Sequence, residues 1–255
     1  MIGIIGDPFF YTVAVPAVIL VGISKAGFGG GLGALAVPMM ALSMPGFQAA
    51  AILLPILCAM DLIGCWAYRR DWHRRNLGTM VPGAAIGIGI GTLSVGLLDA
   101  EAIDLIIGLI AVVFSLRFFL DSITRTMRAA TQPRWLAGSF WAAVSGFTSF
   151  LAHAGSPPAN VYLLPQRMTI RNYVGTTVVF FAAVNYLKLV PYGWLGQFSA
   201  NNIGTSLVLM PAVPTGMWLG LKLRDRIAPD LFYKICYGFL LVLGAKLTGD
   251  GVGLW

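Results

Sequence analysis

The sequence predicts an all-α integral membrane protein made of two inverted-topology repeats of about five helical elements each, with short or broken helices at a central site. Composition is the first sign. The chain is 58% hydrophobic and 11% charged, with a mean hydropathy of +0.81, whereas soluble domains carry about 25% charged residues. The second is a set of uncharged runs, at 8–24, 26–60, 76–98, 135–166 (one His) and 189–221. They approach or exceed the roughly 20 residues of a membrane span, and the longest must hold more than one element. The third is a pair of glycine- and proline-rich breaks inside such runs: Val21-Gly-Ile-Ser-Lys-Ala-Gly-Phe-Gly-Gly-Gly-Leu-Gly33 and Gly146-Phe-Thr-Ser-Phe-Leu-Ala-His-Ala-Gly-Ser-Pro-Pro158. Backbone freed at membrane depth is tolerated only where protein or water satisfies it. Matched breaks in two halves therefore point to a transporter site.

Ten helical elements follow in order, near 8–24, 29–44, 48–68, 76–97, 102–121, 134–152, 156–166, 172–190, 199–221 and 229–247. The first ends at the first break and the sixth at the second. The second and seventh are short enough to be half-helices. The fourth and ninth align through Val81-Pro-Gly-Ala-Ala-Ile-Gly-Ile-Gly-Ile-Gly91 and Met210-Pro-Ala-Val-Pro-Thr-Gly-Met-Trp-Leu-Gly220, with Pro and two Gly in register. The halves are thus about 8–121 and 134–247 within one transmembrane domain, 1–255.

Loop charge sets the orientation. Twelve of the 17 Lys and Arg fall in four short loops, at Arg69/Arg70/Arg74/Arg75, Arg125/Arg128/Arg134, Arg167/Arg171 and Lys222/Arg224/Arg226. With these cytoplasmic, the acidic loop 99–104 lies outside and equivalent elements run in opposite directions. Both termini are then external, in a cell inner membrane. The net charge of +7 is this loop pattern and does not imply nucleic acid. Met1-Ile-Gly-Ile-Ile-Gly-Asp7 has no basic n-region, so no cleaved signal peptide is expected. Cys58, Cys65 and Cys236 have neither metal nor disulfide spacing and read as small core residues. No cofactor or metal is implied.

The breaks hold the site candidates. Gly27, Gly29, Gly30 and Gly31 permit close backbone approach, and a helix starting there presents unpaired N–H groups suited to an anion. Gly155, Ser156 and Pro157 repeat the arrangement, a proline suiting a first helical turn. Small-residue helix packing is the competing explanation of either glycine run. Lys25, placed between the first two elements, is a charge at membrane depth, with Ser24 beside it. His153 in the second break could donate to an anion or carry a proton, and Asn160 lies one to two turns on. Asp61 is either a proton carrier or the partner of a Lys or Arg, or of Asn185 on the equivalent element. Arg117 and Lys188 read as side chains that snorkel to an interface, His73 as a solvated loop residue, and Trp66, Trp72, Trp194 and Tyr192 as interfacial anchors.

At its breaks the chain resembles the sulfite exporter TauE/SafE family, also called the toluene sulfonate uptake permease family. The likeness rests on Gly27-Phe-Gly-Gly-Gly-Leu followed by Val37-Pro38, and on the run from Gly146 to Pro158 followed by Tyr162-Leu-Leu-Pro-Gln. Ser156 stands where the family usually has a second glycine. The resemblance implies a multi-pass carrier exporting sulfite, sulfoacetate or a related small sulfur-containing anion. Without a Walker motif, an ion or substrate gradient must drive it, a proton gradient through His153 or Asp61 being the expectation. A passive anion channel and an intramembrane enzyme pairing Ser24 with Lys25 or His153 are the alternatives. The expected partners are the anion and the lipid bilayer. Oligomeric state stays open, a homodimer being one arrangement.

Overall fold

The protein, as a computed structural model, is described over residues 4–27, 33–124, 132–223, 226 and 229–252. Every regular element among these is helical: α1 Pro8–Gly27, α2 Gly33–Met40, α3 Gly46–Ala67, α4 Arg74–Leu97, α5 Ala100–Thr124, α6 Trp135–Ala152, α7 Ser156–Leu163 with a 3₁₀ turn at Leu164–Gln166, α8 Ile170–Trp194, α9 Ala200–Leu209, α10 Ala212–Leu223 and α11 Pro229–Gly251. Among the described residues seven stretches are long and apolar enough to cross a bilayer, with α9 and α10 together counting as one. Large apolar side chains such as Leu93, Leu97, Val113, Leu136 and Val242 face outward, as lipid-facing surfaces require.

The ninth expected element is two helices. A turn at Met210 and Pro211 separates α9 from α10, where Val213 N–H bonds Met210 O at 3.0 Å. Pro211 and Pro214 both lack the N–H of an i→i−4 bond, so the ladder fails twice in four residues. The equivalent stretch of α4 has Pro82 alone and stays continuous.

The helices pair as α1 with α10, α4 with α6, α3 with α8 and α5 with α11. Swapping equivalent elements between halves turns the first pair into the second and maps each of the others onto itself. α3 and α8 are antiparallel: Phe47 packs against Tyr192, while Gly64 lies against Val178. So are α5 and α11, with Gly108 against Thr248 and Phe118 stacked on Tyr237. In α4 and α6 the chains run in parallel, Gly83 meeting Ser139 and Gly87 meeting Ala143. Likewise Ile5 bonds Thr205 and Gly22 touches Gly216, so α1 runs parallel to α9–α10.

The glycines matched between repeats are the contact points of these pairs. A Cβ on Gly87 would stand 1.9 Å from the Ala143 carbonyl oxygen, and one on Gly216 would stand 2.6 Å from that of Ile19. Without a hydrophobic drive between helices in lipid, such close backbone approach carries the packing. The glycines at these positions are therefore structural.

The molecule has two chemically distinct ends. At one, Arg171 pairs with Asp71 at 2.9 Å and Asn76 donates to Gln166 at 2.8 Å, joining the loops on either side of α3–α4 and α7–α8. At the other, Asp104 accepts from Gly46 N–H at 2.8 Å and Gln48 donates to Asn202 at 2.9 Å. We call these the basic and acidic ends. His73 is more than a solvated loop residue, because its Nδ1 accepts from Asn76 N–H and caps α4. Trp66 and Trp194 are exposed as interfacial anchors should be, but Tyr192 is fully buried and donates to the Phe150 carbonyl. α8 extends to Trp194, so Tyr192 lies inside the helix and turns into the core. Cys58 and Cys236 are buried and Cys65 half-buried.

Candidate functional site

The second break is built by side chains of its own helix. α6 ends when His153 takes a left-handed conformation, φ 51°. Its N–H bonds Ser149 O at 3.1 Å, and Ala154 N–H reaches Thr148 O at 3.2 Å. A glycine would occupy this cap without strain, whereas a bulkier residue there carries some. The carbonyls freed at 154 and 155 are also satisfied: Thr148 Oγ1 donates to Ala154 O at 3.0 Å and Ser145 Oγ to Gly155 O at 2.7 Å. Gly155 is enclosed, with Phe181 and Ser145 within 3 Å of any added Cβ. α7 then starts at Ser156, with proline in its first turn.

The described part of α2 starts against this point. A Cβ on Gly33 would stand 2.9 Å from the His153 carbonyl. From there α2 leads toward the acidic end, where Gly46 meets Asp104, and α7 leads toward the basic end, where Tyr162 donates to Asn76. The two eight-residue helices thus diverge from a common centre. The positive ends of both helix dipoles point into it. Pro157 and Pro158 carry no N–H and Ala159 N–H bonds Gly155 O, so at α7 the donors nearest the centre belong to Ser156.

A cavity of about 230 Å³ lies at this centre. Ser24, Lys25, Gly33, Asp61, His153 and Ser156 line it, with Ser149, Thr177 and Asn185 adding polar wall. Five of the residues singled out in the sequence therefore share one cavity. Lys25 lies in the last turn of α1, which continues past the expected end, and not between elements. Its Nζ pairs with Asp61 Oδ1. Asp61 Oδ2 accepts from Asn185 Nδ2 at 2.6 Å. Both partners foreseen for Asp61 are thus engaged at once, and the pairing of residues 61 and 185 ties α3 to α8. Ser24 is buried and shares a hydrogen bond with Tyr233.

Of the remaining candidates, Gly27 is the last residue of α1, and Gly29, Gly30 and Gly31 lie outside the described residues. Gly155 and Pro157 shape the start of α7 behind the cavity wall. Asn160 also stands off the wall, its Oδ1 accepting from the Tyr173 hydroxyl at 2.7 Å.

Lys188 departs most from expectation. It does not snorkel. It is fully buried, with Nζ 3.0 Å from Ser149 O, 3.1 Å from Ser149 Oγ and 2.7 Å from His153 Nδ1. The imidazole's other nitrogen, Nε2, lies 2.9 Å from the Ala50 carbonyl. α8 continues beyond residue 188 for nearly two turns, too far for the side chain to reach an interface. Arg117 meets expectation better: half-buried, it lies over the Trp141 ring. Ser149 also escaped the sequence reading, although it stands one helical turn before His153 and so on the same face.

The two sides of the cavity differ. Toward the basic end its wall reaches Tyr68 and Leu221. Toward the acidic end Phe47, Phe150 and Tyr192 pack together with ring centroids 5.0–5.5 Å apart, all buried.

A family model described as Sulfite exporter TauE/SafE matches residues 14–247. No curated protein and no solved structure matches the chain.

Proposed function

This chain belongs to the sulfite exporter TauE/SafE family of membrane transporters, and on that premise we propose that it is a secondary carrier exporting a small sulfur-containing anion, such as sulfite, sulfoacetate or a related organosulfonate. The observation that carries the proposal is the cavity in which α2 and α7 begin and Lys25, His153 and Ser156 converge. Helix N-termini favour negative charge, and hydroxyls at Ser24, Ser149 and Ser156 supply donors for sulfonate or sulfite oxygens.

The pairing of helices supports the inverted repeat. α3 with α8 and α5 with α11 are equivalent elements in antiparallel contact, as inversion requires. With the basic end cytoplasmic, the chain sits in the inner membrane with both termini external, and the described state is inward-facing, closed outside by the Phe47–Phe150–Tyr192 plug. Alternating access then consists of the two repeats rocking around the shared cavity, with the anion's own outward gradient as the drive and proton coupling at a titratable group beside the cavity. A passive channel needs a path open at both ends, which the plug opposes. Against the enzyme reading, the described hydrogen bonds of Lys25 and His153 go to Asp61, Ala50 and Lys188, which favours a carrier.

Counterflow in proteoliposomes tests the proposal. Vesicles preloaded with unlabelled sulfoacetate, sulfite or thiosulfate should transiently accumulate the labelled anion, with saturation. Flux that neither saturates nor shows counterflow would indicate a channel.

A further inference from the structure

Lys188 is a buried lysine for which expectation offered no role. Its contacts are specific. Three acceptors, Ser149 O, Ser149 Oγ and His153 Nδ1, match the three N–H bonds of an ammonium group. Ala50 O can only accept, so the proton of a neutral His153 ring resides on Nε2, and Nδ1 presents its lone pair to Lys188. Ser149 and His153 are themselves cavity wall. Lys188 therefore stands directly behind the wall of the anion site, one side chain removed from its contents.

The charge count around it is unbalanced. Lys25 and Asp61 are paired with each other. Among the described residues no carboxylate forms an ion pair with Lys188. The other titratable groups near it are His153 on the break, Cys58 and Asp61 on α3, and Lys25 on α1. A charged Lys188 thus leaves the site with one positive charge in excess, in a setting where an unpaired ion is costly. A monovalent anion in the cavity supplies the missing counter-charge.

We propose that Lys188 is the proton-binding group of the transport cycle, taking up a proton with each monovalent anion so that the two cross together as a neutral pair. The inference rests on the reading of the cavity as an anion site. His153 is then the positioning residue that holds the ammonium by Nδ1, and Lys25–Asp61–Asn185 is a fixed brace between α1, α3 and α8. Because linkage is reciprocal, the anion favours the ammonium and the ammonium favours the anion. Affinity for an anion of fixed charge is then full at low pH. It falls about tenfold per pH unit above the pKa that Lys188 has with the anion absent, until the pKa with the anion bound is passed.

Ethanesulfonate is the probe, since its charge is constant across the range. Purified protein in weakly buffered detergent solution is titrated with it while pH and bound ligand are followed. The expected result is uptake approaching about one proton per anion on the sloping limb. Lys188→Arg, permanently charged, should bind with no proton uptake and a flat pH profile. Lys188→Gln should bind at least tenfold more weakly at pH 6, also with a flat profile. Anion binding by the unsubstituted protein without proton uptake overturns the inference before any variant is made, and leaves the carrier reading standing. Proton uptake that persists in a folded Lys188→Arg or Lys188→Gln variant overturns it too. Should ethanesulfonate, sulfite and thiosulfate all fail to bind at any pH, the anion-site reading fails and this inference with it.

Discussion

The two ends of the α3–α8 seam are built from opposite materials. On the basic side of the cavity the seam is polar: Asp61 on α3 and Asn185 on α8 hydrogen-bond each other, and Lys25 closes the group from α1. On the acidic side it is aromatic, with Phe47 from α3, Tyr192 from α8 and Phe150 from α6 in mutual contact. Polar braces let a wall stand beside a cavity, because their groups are satisfied whether or not the cavity is filled. Packed rings exclude water and close the path. In the inverted repeat we propose, the two ends share one backbone plan, and side-chain choice makes them differ.

Substitutions at the two ends should separate these roles. Phe150→Ala, at a fully buried ring, should cost about 3–5 kcal/mol of stability. It should also make the cavity reachable from the acidic side, read as modification of Ser156→Cys by an impermeant thiol reagent added there. A variant of normal stability and unchanged sidedness would show that the rings are not the closure. Asp61→Asn should cost about 1.5–3 kcal/mol, the range for hydrogen bonds to charged groups, and the added change Lys25→Met should recover part of it. Non-additivity in that cycle measures the pair; simple addition would mean the two charges act independently. Tyr192→Phe removes one hydroxyl bonded to Phe150 O and keeps the ring. A loss of about 1 kcal/mol is expected, with transport retained, and loss of transport would give the hydroxyl a role beyond the plug.

Sidedness can be sharpened without touching the seam. Cysteines at Arg75 and Arg171, both exposed, should react only from the cytoplasm, and ones at Glu101 and Ser199 only from outside. Reaction of Arg75→Cys and Ser199→Cys from the same side would exclude the inverted repeat.

Much of this was legible in the sequence because helix breakers at membrane depth are costly and so seldom accidental. Ser24, Lys25, His153 and Ser156 were found by that route, and they share the cavity. Asp61 was visible as a lone charge in an apolar run, and Asn185 as a partner for it on the equivalent element. Lys188 was misread because its sequence distance from the next loop looked short; the extension of α8 through Pro191 to Trp194 put it inside. Tyr192 was misread for the same reason. The split of α9 from α10 was hidden because Pro82 and Pro211 align, while only the second has another proline three residues on. Ser149 carried no signal of its own, since serine in a membrane helix usually bonds its own backbone. Its place in the site is marked by Lys188, a contact 39 residues away.

The central claim is that the cavity where α2 and α7 begin holds the transported anion. Protection of Ser156→Cys tests it most directly, in a protein whose native cysteines, Cys58, Cys65 and Cys236, are replaced by alanine. A neutral maleimide added from the basic-loop side should modify Ser156→Cys, and saturating sulfoacetate or sulfite should slow that reaction at least tenfold while leaving a lipid-facing Leu97→Cys control unaffected. Modification of Ser156→Cys at the same rate with and without each anion would contradict the account.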